Sequence, residues 1–111
     1  MITDQRSHYR VSFFMGGDLY KVGNSLKFGR AVIRDISTSG MRVETLEPLE
    51  QGEMVYVDFE IGGRFQFEKV PATVARLYPH TGSFLLGLSF QRGEDRRHVR
   101  EALVYSLGNT L

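Results

Sequence analysis

The sequence predicts a mainly β fold: a small antiparallel barrel of six or seven strands with one C-terminal α-helix. Three observations support this prediction. Short segments alternate apolar and polar residues, glycine and proline signals separate them, and the apolar spacing becomes helical from residue 94. Closing a sheet into a barrel removes its exposed edges, and one helix can then cover an end. The 111 residues suffice for a single domain with its own core.

Extended segments and turns alternate in the first half of the chain. The glycine pair at 16–17 indicates a turn or bulge, and a further turn falls at 23–25. Strict alternation in the long segment that follows would place Asp35 on the same face as Ile33. The strands predicted in this half are 11–15, 19–22, 26–36 and 41–46.

The second half contains the clearest strand pattern. Apolar and polar residues alternate from 54 to 61, and Gly62-Gly63 then indicates a hairpin turn. Pro71 favours a bulge or an edge position in the returning segment, because proline cannot donate to the ladder. Further strands are predicted at 64–67, 72–78 and 84–90.

The last part of the chain predicts an amphipathic helix over about residues 94–107, where the apolar period lengthens to about 3.6 residues. Gly108 is placed to cap its end. The apolar stripe consists of Val99, Ala102, Leu103 and Leu107. Barrel and helix together are predicted to occupy residues 11–111, preceded by a flexible polar arm over residues 1–10.

The composition limits the classes of partner. The chain has 14 basic and 13 acidic residues, a formal charge of +1, which argues against DNA or RNA binding through a broad positive field. The lack of cysteine excludes disulfides and thiolate metal sites. No apolar run approaches the roughly 20 residues of a membrane span. We therefore expect a cytoplasmic protein that does not bind membranes.

Polar residues follow the apolar run at 31–33 and form the most informative motif. Asp35 and Ser37 lie two residues apart and should point the same way, and Gly40 allows a turn or close approach to the backbone. A carboxylate can accept hydrogen bonds from a base edge, and a hydroxyl can donate or accept. A polar turn without a ligand explains the same residues, since Asp, Ser and Gly are common turn formers.

Two arginines near the start of the chain favour a ligand site. Arg6 and Arg10 are four residues apart, and each guanidinium can grip a phosphate, stack on a base or fork onto guanine. The same spacing recurs among other arginines of the chain. Only its combination with the Asp-Ser-Gly motif is therefore informative.

Together, Arg-x-x-x-Arg and Asp-x-Ser-x-x-Gly resemble the motifs of the PilZ domain family. The resemblance covers most of the chain, because residues 72–76 and 87–90 are similar to the last strands of such domains and a helix follows. It implies a PilZ-like split barrel that acts as a cyclic di-GMP receptor. It also implies that Arg6 and Arg10 wrap the phosphates and guanines of the ligand. The implied base-binding surface consists of Asp35, Ser37 and Gly40.

Two more residues are candidates for ligand contacts. Many members of the family carry a further arginine directly before the first motif arginine, and this chain has Gln5 there, which leaves the ligand stoichiometry open. Arg76, in a predicted late strand, is the second candidate. The resemblance implies no cofactor besides the ligand.

The sequence argues against catalysis and against a metal site. The histidines at 8, 80 and 98 lack the spacing of paired metal ligands, and none lies near Ser37 in sequence to serve as a base. Most of the eight phenylalanines alternate into the core, which disfavours a stacking surface for nucleic acid. We therefore expect a binding protein and not an enzyme.

Two functional hypotheses follow. In the first, cyclic di-GMP orders the arm onto the barrel, and a partner protein reads the changed surface in bacterial motility, biofilm or exopolysaccharide control. In the second, the domain is a ligand-independent interaction module, as some PilZ-type domains of type IV pilus systems are thought to be. A monomer or weak homodimer is expected in either case.

Overall fold

The computed structural model describes residues 10–21, 27–46 and 48–110 of the chain. Six antiparallel strands close into a barrel in the order β1-β2-β3-β6-β5-β4, and one helix follows them. The elements are β1 Arg10–Lys21, β2 Lys27–Ser37, β3 Gly40–Thr45, β4 Met54–Ile61, β5 Phe65–His80, β6 Ser83–Phe90 and α1 Gly93–Thr110. The predicted barrel with a C-terminal helix is confirmed.

The core lies inside the barrel and under the helix. Alternate residues of β4 and β6 are buried, as their sequence patterns predict. Phe59 stacks on Phe67 at 4.7 Å and on Phe90 at 6.0 Å between ring centroids. The fully enclosed side chains include Leu19, Ile33, Ile36, Val43, Val55, Val57, Val74, Leu86 and Phe90. The described phenylalanines thus contribute mainly to the core.

The glycine pair in β1 does not form a turn. Gly16 and Gly17 lie within one continuous strand, and the first of two shifts in its pairing with β2 falls just before them, between Ser12 and Met15. A Cβ atom at Gly17 would lie 3.0 Å from the carbonyl oxygen of Asp58. Glycine is suited to this position because it lets β1 and β4 approach closely.

A bulge in β2 reverses the expected face of Asp35. Ile33 pairs with Val43, whereas Asp35 pairs with Arg42, so two steps along β2 match one step along β3. Val43 is buried and Arg42 is exposed, which places Asp35 on the outer face, opposite to Ile33. The prediction that Asp35 and Ile33 share a face is wrong, because the extra residue shifts the alternation by one.

The helix is longer than predicted. It begins at Gly93 and continues through Gly108 to Thr110, packing against β4 and β6. Glycine within a helix costs only about 1 kcal/mol, which does not suffice to end it here. The buried residues of its inner face include Val99, Ala102 and Leu103, as predicted. The side chain of Leu107 lies outside the described residues.

The return strand β5 is continuous through Pro71. The hairpin before it uses Gly62 and Gly63, both with φ of +66°, as the two-glycine signal predicts. The predicted irregularity falls beside Pro71: the pairing of β5 with β4 shifts, and Lys69 has a φ of +49°. The pairing of β5 with β6 shifts as well, between Val74 and Arg76, so β5 is irregular against both of its neighbours.

Candidate functional site

The turn between β2 and β3 is closed by Ser37. Its hydroxyl oxygen accepts from the backbone N–H of Ser39 at 3.3 Å and donates to the carbonyl of Gly40 at 3.4 Å. It also lies 3.2 Å from the hydroxyl of Ser39. Ser37 is fully buried. These bonds are those of a polar turn, so Ser37 has a role within the fold that requires no ligand.

Gly40 is required by the packing of two strands. A Cβ atom there would lie 1.9 Å from the carbonyl oxygen of Leu88, because Gly40 pairs with Ser89 at the start of the β3–β6 ladder. The φ of Gly40 lies outside the left-handed region. The residue is glycine because β3 and β6 approach closely, and not because the turn needs a positive φ.

Asp35 forms an ion pair across the β2–β3 hairpin. Nε of Arg42 donates to Oδ2 of Asp35 at 2.6 Å. The carboxylate side chain is only 2% exposed, whereas that of Arg42 is 55% exposed. Burial together with a charge-assisted hydrogen bond fixes the carboxylate on the outer face of the barrel.

Sequence reasoning missed Arg42, although the sequence contains a signal for it. If the chain reverses at Thr38-Ser39, residues equally distant from this pair lie opposite each other, and Asp35 then meets Arg42. In the sequence Arg42 is one polar residue in an alternating strand. The chemistry becomes evident only when the pairing register is known.

The backbone of the second motif arginine lies next to that of Ser37. Arg10 is the first residue of β1, one residue earlier than predicted, and its backbone pairs with Ser37. Arg6 and Gln5 lie outside the described residues. The two halves of the motif, separated by 24 residues between Arg10 and Asp35 in the chain, are therefore adjacent in the sheet.

A cleft of about 510 Å³ lies beside this hairpin on the outer face of β3, β6 and β5. Arg42 pairs with Gly87, and Gly87 pairs with Arg76, so a residue without a side chain separates two arginines. Tyr78 also lines the cleft and is half exposed. Arg76, predicted from the sequence as a further contact, lies in this cleft. None of the described residues that line it is acidic, which suits an anionic, partly aromatic ligand.

A second polar cluster lies farther along β3. Glu44 accepts hydrogen bonds from the Ser83 hydroxyl at 2.8 Å and from Arg34 Nη1. The bond from Ser83, followed by that from Arg34, lowers the pKa of Glu44 below its ordinary value. Glu44 does not line the cleft. The cluster is a surface network of the sheet and lies outside the proposed site.

The described part of the chain supports neither a metal site nor a membrane-spanning helix. Over the described ranges, no group of three or more His, Asp or Glu residues could hold a metal ion. Within those same ranges, no helix is both long and apolar enough to cross a membrane.

Comparison with known proteins identifies a family. The family model for the PilZ domain matches residues 4–106. No curated protein matches the chain significantly in sequence.

Several solved structures have a similar fold. The PilZ domain of YcgR from Escherichia coli with c-di-GMP is 16% identical, with a TM-score of 0.70 over 96% of this chain and 94% of that one. The MrkH–c-di-GMP complex of K. pneumonia is 13% identical, with a TM-score of 0.72 over 97% of this chain and 54% of that one. The Bacillus subtilis inhibitor of motility is 13% identical, with a TM-score of 0.69 over 96% and 53%. The chain spans about half the length of the latter two proteins.

Proposed function

The chain belongs to the PilZ domain family, and from this membership we propose that it is a bacterial receptor for cyclic di-GMP and not an enzyme. The observation that carries the proposal is the register of β1 with β2. It brings the backbone of Arg10 opposite Ser37, so that the arginine motif ends beside the Asp-Ser-Gly motif. The proposed ligand residues are Arg6, Arg10, Asp35, Ser37 and Gly40, with Gln5 and Arg76 as further contacts.

Each proposed contact uses ordinary donor and acceptor chemistry. The Asp35 carboxylate accepts from guanine N1–H and its exocyclic amine as a matched pair. Arg6 and Arg10 grip the phosphates of the ligand or stack on its bases. Arg76 adds positive charge on the floor of the neighbouring cleft. Because the net charge of the chain is only +1, recognition of the phosphates is local.

Binding is proposed to draw the N-terminal arm over the hairpin and so to change the surface that a partner protein reads. The relatives of known structure include an inhibitor of motility, which supports an output in motility or biofilm control. We place this function in the cytoplasm, without nucleic acid or membrane as a partner. Amide exchange of residues 4–9 should slow on addition of cyclic di-GMP.

A ligand-independent interaction module, like those of type IV pilus systems, is the second candidate. It is favoured by the internal roles of Ser37 and Gly40, which the fold needs without any ligand. Ser37 and Gly40 therefore do not discriminate between the two functions. Arg6, Arg10 and Asp35 do, because an interaction module that binds no ligand has no need to keep an arginine motif together with a buried carboxylate.

Calorimetric titration of the purified chain with cyclic di-GMP, GTP and GMP tests the proposal. Cyclic di-GMP should bind far more tightly than the other two, since it alone combines two guanines and two phosphates in a compact ring. Its affinity should fall only gently with salt, because few charges of the protein meet the ligand. Equal affinities for the three nucleotides, or no binding of cyclic di-GMP, would favour the interaction module.

A further inference from the structure

The buried carboxylate of the hairpin already has a partner of a particular kind. Nε of Arg42 lies 2.6 Å from Oδ2 of Asp35, and more than half of the arginine side chain, 55%, is exposed. The carboxylate itself is almost fully withdrawn from solvent. A ligand that approaches from outside therefore meets the exposed guanidinium of Arg42 before it can reach the carboxylate of Asp35.

A guanidinium and the edge of a guanine base present the same donors. In each, a planar carbon bonded to three nitrogens carries neighbouring N–H groups that point in one direction. In guanine these groups are N1–H and the exocyclic amine. Asp35 is thus already bound to a donor group that resembles the edge of a guanine base.

We infer that Arg42 is an internal competitor for the guanine site, a positioning residue that the ligand must displace from Asp35. The inference rests on the proposed function as a cyclic di-GMP receptor. Both donors seek the same buried carboxylate, and a guanine that bonds to both of its oxygens must take Oδ2 from Nε of Arg42. The apparent affinity equals the intrinsic affinity multiplied by the fraction of molecules in which Arg42 has left Asp35.

The cleft provides space for the displaced arginine. Arg42 lines it, and its cross-strand neighbour Gly87 has no side chain to block a guanidinium that turns away from the hairpin. The competition also sets a minimum binding free energy that a ligand must supply to displace Arg42. A single guanine gains little after it has displaced Arg42, whereas a ligand with further contacts to the arm and to Arg76 gains enough to bind.

The test compares the two arginines of the cleft. Arg42→Met and Arg76→Met each remove one positive charge and leave an unbranched side chain. Of the two arginines, Arg42 is the one whose Nε bonds to Asp35. Titration with cyclic di-GMP should give about three- to tenfold tighter binding for Arg42→Met than for the natural chain, and weaker binding for Arg76→Met. Arg42→Lys, which keeps the charge and a donor, should remain close to the natural chain.

NMR of the arginine Nε–H groups tests the ion pair without any ligand. The Nε–H of Arg42 should be protected from exchange with water, should lose this protection in Asp35→Asn, and should change its signal when cyclic di-GMP is added. Equal protection in the natural chain and in Asp35→Asn would overturn the inference. This measurement decides the matter even if Arg42→Met does not fold.

The outcomes separate the inference from the proposed function. If the natural chain binds cyclic di-GMP but Arg42→Met binds as weakly as Arg76→Met, Arg42 is an ordinary ligand contact and the competitor inference is wrong. If neither the natural chain nor a folded Arg42→Met binds, the receptor function is wrong and the inference fails with it. Binding by Arg42→Met alone would support the competition at Asp35 and would count against a receptor function of the natural chain.

Discussion

Two buried carboxylates in this protein each bind an exposed arginine, yet their surroundings differ. Asp95 lies in the first turn of α1, and Arg92 grips both of its oxygens, Nε to Oδ2 at 2.7 Å and Nη2 to Oδ1 at 3.1 Å. Asp35 lies on the outer face of the barrel, and its arginine comes from the neighbouring strand. The first pair joins residues three positions apart in the chain, whereas the second depends on the register of a hairpin.

The difference separates a structural ion pair from one suited to exchange its partner. The carboxylate of Asp95 is held by a complete fork and by the positive end of the helix dipole, so it stabilises the start of α1. Arg42 contacts Asp35 at the edge of an open cleft, where a ligand can compete for the same oxygen. The position of a buried charge relative to open surface, more than its chemistry, distinguishes the two roles.

The largest effect on stability is expected from adding a single methyl group at Gly40, at the start of β3. Gly40→Ala should lower the free energy of unfolding by more than about 3 kcal/mol, because the new Cβ would strike the carbonyl of Leu88 and part β3 from β6. The matched variant at the helix start is Gly93→Ala, where nothing lies within 4 Å of the added Cβ. It should change stability by less than about 1 kcal/mol. Chemical denaturation measures both, and equal stabilities would contradict the close approach of β3 and β6.

Exchanging each carboxylate for an amide tests the comparison directly. Asp95→Asn should lower the free energy of unfolding by about 1 to 2 kcal/mol and leave the cyclic di-GMP affinity unchanged. Asp35→Asn should weaken binding by about tenfold or more, because an amide cannot accept two donors from guanine. Calorimetric titration and melting curves of the two variants provide the readouts. A loss of affinity in Asp95→Asn as large as in Asp35→Asn would remove the distinction between the pairs.

Substitutions in the arginine motif should weaken binding and have a smaller effect on the stability of the fold. Arg6→Ala and Arg10→Ala should each weaken cyclic di-GMP binding by about tenfold, since each removes a charge-assisted contact. The unfolding free energy of Arg6→Ala should change by less than about 0.5 kcal/mol, as is usual for substitutions outside the core. Arg100→Ala, on the exposed face of α1, is the charge-matched control and should bind normally. Full affinity in both motif variants would exclude the arm from the ligand site.

Local patterns in the sequence were sufficient to predict the fold. The alternation of β4 and β6 and the glycine hairpin at 62–63 depend on neighbours in the chain, and both are confirmed. The helical stripe also depends on neighbours, and it is confirmed at Val99, Ala102 and Leu103. The errors arise where cross-strand pairing decides the outcome. At the glycine pair 16–17, where a turn or bulge was expected, the chain does not turn, and a shift of pairing lies just before the pair, between Ser12 and Met15. The bulge before Asp35 moves that residue to the outer face.

The candidate site was predictable only in part for the same reason. Motif spacing indicated Asp35, Ser37 and Gly40, but the sequence alone could not distinguish a glycine needed for a turn from one needed under Leu88. The signal for Arg42 in the sequence is indirect, because its importance comes from the residue that lies opposite to it across the hairpin. The ligand contacts of all the candidate residues stay predictions, and Arg6 and Gln5 also lie outside the described residues.

The smallest expected effect concerns a third acidic side chain, which is neither in the helix start nor beside the cleft. Hydrogen bonds from Ser83 and Arg34 hold the pKa of Glu44 below its ordinary value of 4.5. A lowered folded-state pKa means that Glu44 stabilises the fold fully above its unfolded pKa, and that this contribution disappears as the pH falls through the lowered value. Glu44→Gln should therefore be less stable than the natural chain at neutral pH, and the difference should shrink as the pH falls through the lowered pKa of Glu44, as followed by unfolding curves. Its cyclic di-GMP affinity at neutral pH should be unchanged, because Glu44 does not line the cleft. A stability difference that is independent of pH would show that the charge of Glu44 does not contribute to the stability of the fold. A loss of ligand affinity would extend the site along β3.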